Sequence, residues 1–157
     1  MKAIQDLYPD AFAHCYGCGR LNEHGLHVRS HWLGDRAVAR FTPEPYHIAM
    51  PGYIYGGLIA SLIDCHSIGA AAAAAMAAAG RVPGRDPTPR YVTASLQVDF
   101  VRPTPAGVEL ELEAVPVEVG ERKVIVQTTL SANGEVCARG RVVAVQIPKT
   151  FAAPEDG

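Results

Sequence analysis

The sequence has no excess of positive charge: its 14 Lys and Arg residues are outnumbered by 16 Asp and Glu, for a formal net charge of -2 and a pI near 6.3. A sequence-independent grip on a phosphate backbone therefore has no electrostatic source, and nucleic acid is not an expected partner. Charge is also modest in total, at 19% of residues against 48% hydrophobic, a balance too apolar for disorder and ordinary for a folded domain. Length for a second core is lacking, since 157 residues fit one domain. No apolar run follows Lys2, so the start does not resemble a secretory signal and the cytoplasm is the expected compartment. The 4 cysteines then read as reduced thiols rather than a disulfide framework. A second Cys-x2-Cys pair is missing as well. Cys15 and Cys18, even with His14, His24 or His27, lack the spacing that makes a zinc site strong, and neither a metal nor a cofactor is expected.

Residues 1–24 scatter Pro, Gly, His and Cys without a period, which predicts an irregular N-terminal extension with one short helix near Asp6–Ala13. A single domain over 25–148 and a C-terminal tail over 149–157 complete the division. Leu26–Leu33 and Ala37–Phe41 read as a strand hairpin around Gly34-Asp35. Pro43, Pro45 and Pro51 frame a loop, because proline interrupts both ladders and helices. From Gly56 to about Ala79 there is no proline, and alanine, the best helix former, fills nearly all of positions 70–79. Gly80 suits the cap of that helix.

The run from Gly80 to Arg90 is rich in Pro and Gly and reads as a long loop, after which the period changes to two. Val92, Ala94, Leu96, Val98 and Phe100 alternate with polar neighbours, predicting a half-buried strand. Val108, Leu110, Leu112 and Ala114 alternate with glutamates, and Val124–Leu130 and Val136–Ile147 flank an Asn133-Gly134 turn, so a meander is expected. Two strands, one helix and four strands make an α+β fold with an antiparallel sheet against one long helix. A doubly wound sheet is excluded, since only one helix is available as a crossover.

That helix is long enough to cross a bilayer, but Asp64 would be costly there and alanine is a weak membrane residue, so no membrane partner is expected. Being apolar on nearly all sides, it should be buried on nearly all sides, by the sheet and by a second copy of the chain. Asp64 stands out in it. At about 100° per residue Gly57, Ser61, Asp64 and Ile68 share one face, while His66 lies about 200° round from Asp64, so the two are not an acid–base pair. Gly56 and Gly57 open the helix, where unpaired N–H groups and the macrodipole favour a developing oxyanion.

The run PGYIYGGLIASLIDCH, followed by SLQVDFVRPTP, resembles the phenylacetate-degradation type of hotdog thioesterases, and CYGCGRLNEHGL is similar to a segment that opens many of them. The resemblance covers about residues 15–147 and implies a hotdog fold, an antiparallel sheet wrapped around one long central helix. It implies hydrolysis of acyl-CoA to a carboxylic acid and free CoA, in a dimer or a dimer of dimers. Asp64 falls on the catalytic acid, as general base or nucleophile, and Gly56 on the oxyanion glycine. Tyr55 replaces the family's His and Ala49 its Asn, leaving the Tyr55 hydroxyl and His47 as polar candidates beside Gly57 and Ser61. Arg102 lies in the aromatic-x-Arg-Pro strand motif. Thr93 matches a Ser or Thr that assists the acid from a neighbouring subunit; its strand phase requires an interface or a bulge to bring it there. Arg81, Arg85, Arg90, Arg122 and Lys123 are candidates for the CoA phosphates. The alternatives are a non-catalytic acyl-CoA-binding hotdog protein and a hotdog enoyl-CoA hydratase.

Overall fold

The computed structural model describes residues 1–148 and Phe151; the rest of the tail expected over 149–157 lies outside the described residues. The elements are β1 (His31–Trp32), β2 (Ala37–Phe41), β3 (Ile48–Met50), β4 (Tyr53–Ile54), α1 (Gly56–Ala78), β5 (Tyr91–Phe100), β6 (Leu110–Val119), β7 (Lys123–Ala132) and β8 (Glu135–Gln146). Six strands form one antiparallel sheet in the order β1-β2-β6-β7-β8-β5, and α1 packs against β2, β5, β6, β7 and β8. This is the α+β arrangement expected, a large sheet around one long helix.

The helix ends where its sequence says it must. Gly80 has φ +74°, its N–H bonds to the Ala77 carbonyl, and the Arg81 N–H reaches back to the Met76 carbonyl. These are the paired bonds of a left-handed glycine cap. The β7–β8 turn likewise places both Asn133 and Gly134 at positive φ, the backbone a two-residue hairpin needs. In β6 Leu110, Leu112 and Ala114 are buried and the alternating glutamates are exposed.

Three expectations are corrected. The meander holds only for β6-β7-β8, because β5 pairs with β8 while β6 turns away to pair with β2. The link from Phe100 to Leu110 carries Pro103 and Pro105 and is too long for a tight hairpin. The same topology leaves β5 at the sheet edge, so the half-buried strand is mostly exposed, with Leu96 40% and Phe100 55% accessible. The proline-framed loop also contains a small hairpin, β3–β4, turned at Pro51-Gly52 with Gly52 at φ +92°. Strands this short carry no detectable alternation.

The N-terminal segment is irregular but not peripheral. It makes two 3-10 turns, Ile4–Leu7 and Asp10–Phe12, in place of one short helix. Ile4, Tyr8, Cys18 and Val28 join the same hydrophobic core as the helix and sheet. Gly69 of α1 allows this approach, since a Cβ there would stand 2.6 Å from Gln5 Nε2. Polar groups in the contact are paired in a chain: Gln5 Nε2 donates to Ser30 Oγ, Ser30 Oγ meets His66 Nδ1 at 2.7 Å, and His66 Nε2 meets the Ala37 carbonyl at 3.1 Å. Burial pushes His66 down to about 4, against a smaller upward pull from its bond to Ala37. The chain's own N-terminus thus covers much of the helix surface expected to need a second copy. Gly56, Gly57, Ala60, Ser61 and Asp64 stay partly exposed in the N-terminal half.

Candidate active site

Asp64 lies two turns into α1, half-buried, with its Oδ1 accepting a 2.6 Å hydrogen bond from Thr93 Oγ1. The contact is within one chain. A bulge between Thr93 and Ser95 breaks the β5–β8 register and rotates Thr93 out of the strict alternation that had placed it on the opposite face. Burial holds the Asp64 carboxyl above its ordinary range, partly offset by the Thr93 hydroxyl. A carboxylate so placed is more basic than a solvated one and has its second oxygen free for a water or a substrate. Beside it is a cavity of about 150 Å³ lined by Cys15, Cys18, Cys65, Arg90 and Thr93 among others.

Cys65 was not legible from pattern, and Arg90, a candidate for the CoA phosphates, joins it in this cavity. Cys65 follows Asp64 on the helix and faces Cys15 and Cys18, the three Sγ atoms all lying within 4.8 Å of one another. Hydrogen bonds from Cys18 and Cys65 hold the Cys15 thiol well below its ordinary range, while sharing with Cys15 pushes Cys18 up to about 12 and raises Cys65. Arg90, from the proline-rich loop, lays its guanidinium over the Tyr8 ring at 5.0 Å from the centroid. Its Nη1 is buried with no hydrogen-bond partner among the described residues. The three histidines that the Cys-x2-Cys pair suggested, His14, His24 and His27, are exposed and outside the cluster.

The helix start is a second locus. Tyr55 is its N-cap residue in extended conformation, and its carbonyl takes the N–H groups of Leu58 and Ile59. The N–H groups of Gly56 and Gly57 find no backbone acceptor among the described residues. The Tyr55 ring lies directly over Gly57, where a Cβ would sit 2.5 Å from ring carbons and 2.6 Å from the hydroxyl. A side chain at Gly57 would displace the exposed Tyr55 ring, whose phenol lies at the helix mouth. Phe100 packs beside Gly56. Ser61 donates its hydroxyl to the Gly57 carbonyl at 2.8 Å, within the helix.

Other candidates are not gathered here. His47 Nδ1 accepts the Glu44 N–H at 2.9 Å inside its own turn, and only its carbonyl reaches Tyr55. Arg102 pairs with Glu135 at 3.0 Å on the surface. Arg81 is bound to the Pro87 carbonyl and Arg85 stands 3.8 Å from Asp86.

Comparison with known proteins identifies the family. Residues 68–145 match the family model described as acyl-CoA thioesterase N-terminal domain, which begins just beyond Asp64. Among curated proteins no significant match is found. A thioesterase superfamily protein from Shewanella loihica is 47% identical, with 88% of this chain and 98% of that chain covered and a TM-score of 0.68. The PaaI protein of the Escherichia coli phenylacetic acid degradation operon shares the fold at 19% identity, covering 78% and 81% of the two chains with a TM-score of 0.63. Thioesterase HI1161 from Haemophilus influenzae does so at 16% identity, covering 78% and 79% with a TM-score of 0.62. On the fold, the family match and near-full coverage of the Shewanella relative, the chain belongs to the hotdog-fold thioesterase superfamily and is a thioester hydrolase.

Proposed function

We propose that the chain hydrolyses acyl-CoA thioesters in the cytoplasm, with Asp64 as general base on water and the Gly56 N–H as oxyanion donor. The observation that carries this is the Asp64–Thr93 hydrogen bond at a cavity that both residues line, which orients one carboxylate oxygen and leaves the other for water. Thr93 is a positioning group in this reading, and the Tyr55 hydroxyl stands at the helix mouth where relatives of this type carry histidine. The hydratase alternative has little support, because His66 is fully buried and bound to Ser30 and Ala37 rather than aimed at Asp64.

Helix geometry supports a dimer in this reading. Eight residues at about 1.5 Å each put Gly56 and Asp64 about 12 Å apart along the axis. One thioester carbonyl cannot touch both within one chain. An antiparallel second copy, packed along the stripe Gly56, Gly57, Ala60, Ser61 and Asp64, brings Gly56 of one protomer beside Asp64 of the other. The stripe has only small residues besides the acid, so two helices can approach closely along Ala60, Ser61 and Asp64, while the exposed Tyr55 and Phe100 lie over its Gly56–Gly57 end.

The test uses two inactive variants. Gly56→Pro removes the oxyanion N–H at the first helical position, where proline is accepted, and Tyr55 already has the extended conformation that a following proline requires. Asp64→Asn removes the base. Each alone should lose turnover of a panel of acyl-CoAs, read as free thiol. Mixed and re-assembled, they should recover about a quarter of parental activity, because half the dimers are mixed and each mixed dimer has one intact site. Recovery of none, with mixed dimers demonstrated, would sink the shared site; normal turnover by Asp64→Asn would sink the catalytic assignment.

A further inference from the structure

We propose that Cys15, Cys18 and Cys65 form a thiolate site for one zinc ion, which fastens the N-terminal segment to α1 beside Asp64. The spacing fits the ion. Zinc–sulfur bonds of about 2.3 Å in tetrahedral geometry set neighbouring sulfurs roughly 3.8 Å apart. Cys15 Sγ and Cys65 Sγ are 3.8 Å apart, and all three sulfurs lie within 4.8 Å of one another. All four cysteines are free thiols, and Cys137 takes no part in the cluster.

The loop around Cys15 is built to present sulfur. Gly19 N–H closes the turn onto the Cys15 carbonyl at 2.7 Å, which folds Cys18 back beside Cys15. Neither glycine tolerates a side chain: a Cβ on Gly17 would stand 2.2 Å from Cys65 Sγ, and one on Gly19 would stand 2.4 Å from the Cys15 nitrogen. Gly17 is further pinned by its carbonyl, which takes the Val28 N–H at 2.9 Å.

Charge is partly offset, since the cavity holds one guanidinium beside the Asp64 carboxylate. Binding releases the three thiol protons and leaves a zinc tris-thiolate of net charge −1, and burying that charge needs a counter-ion. Arg90 supplies it, lining the same cavity with Nη1 unpartnered among the described residues. Among the described residues no carboxylate or imidazole joins the three sulfurs within the cluster distance, so the fourth position is left to a water molecule from the cavity that Asp64 also lines.

The test is metal content, read independently of turnover so that this site and the thioesterase site can fail separately. Protein prepared under reducing conditions with zinc present should carry about one zinc per chain after gel filtration. Cys65→Ala should weaken zinc binding on the order of 10²-fold or more in competition with a chromophoric chelator, while Cys137→Ser should leave it unchanged. Cobalt in place of zinc should give a sulfur-to-metal charge-transfer band that disappears in Cys15→Ser, a variant on the more exposed segment that also serves if Cys65→Ala does not fold. Reduced parental protein that neither retains zinc nor competes with the chelator overturns the proposal. So does a Cys15–Cys65 disulfide that persists in the reduced preparation.

Discussion

Gly140→Ala is the perturbation whose outcome follows most directly from packing. Gly140 lies mid-strand in β8, paired with Val98 on one side and Thr128 on the other, and faces the helix. Its φ is not positive, so alanine meets no backbone strain and any effect must be steric. A Cβ there would stand 2.3 Å from Ile63 Cγ2, against about 3.8 Å for ordinary carbon contact, leaving about 1.5 Å to be absorbed. Ile63 is fully buried and cannot swing aside. Overpacking of this kind costs about 1–3 kcal/mol, or roughly 2–4 °C of Tm per kcal/mol at this size. Asp64 follows Ile63, so a helix pushed off the sheet also stretches the 2.6 Å Thr93 contact, and a displacement near 1 Å lowers kcat/KM by about 10²-fold. Ile63→Leu removes Cγ2. The nearest remaining atoms, Ile63 Cβ and the Gln97 carbonyl, are both at 3.6 Å, an ordinary contact. The double variant should therefore regain most of the stability lost by Gly140→Ala. Urea unfolding of the four proteins in a double-mutant cycle measures the coupling. Additivity within about 0.5 kcal/mol, or an unaffected Gly140→Ala, refutes the steric account.

Other outcomes are as definite. Asp64→Asn should keep the fold and the Thr93 contact, through its amide oxygen, while turnover falls by about 10²–10⁴-fold; circular dichroism and free-thiol release check both. Thr93→Val keeps shape but removes a hydrogen bond to a charged group, and should lower kcat by about tenfold or more with KM nearly unchanged. Ser61→Arg, on the small-residue stripe, should convert the proposed dimer to a monomer by sedimentation and abolish activity, whereas Arg102→Ala should change neither. Tyr55→Phe retains the ring over Gly57 and should leave stability intact; a loss of kcat measures what the hydroxyl contributes at the helix mouth.

The helix was legible because its signals are local: no proline, an alanine run and a glycine cap, each acting within a few residues of itself. Alternation in β6 and the Asn-Gly turn were legible for the same reason. The position of β5 was not, because alternation states that a strand has two faces and says nothing about which neighbour it pairs with. Thr93 shows the limit most sharply. A strict period of two sends it away from Asp64, and one bulge, set by how β5 meets β8, brings it back. His47 and Arg102 illustrate the reverse: both are polar residues near a motif, and both are engaged in local contacts of their own.

The sequence by itself determined the long helix and the long strands, the acid in the apolar helix and the glycines that open it, because these rest on propensity and spacing within one segment. Tertiary structure alone decided what surrounds that acid. Cys15 and Cys65 are 50 positions apart, and Arg90 comes from a loop beyond the far end of the helix. They meet at Asp64 only because the N-terminal segment folds across α1, burying Ile4 and Tyr8 against it. Contact between distant residues is selected by the burial of the whole core, and no local pattern records it.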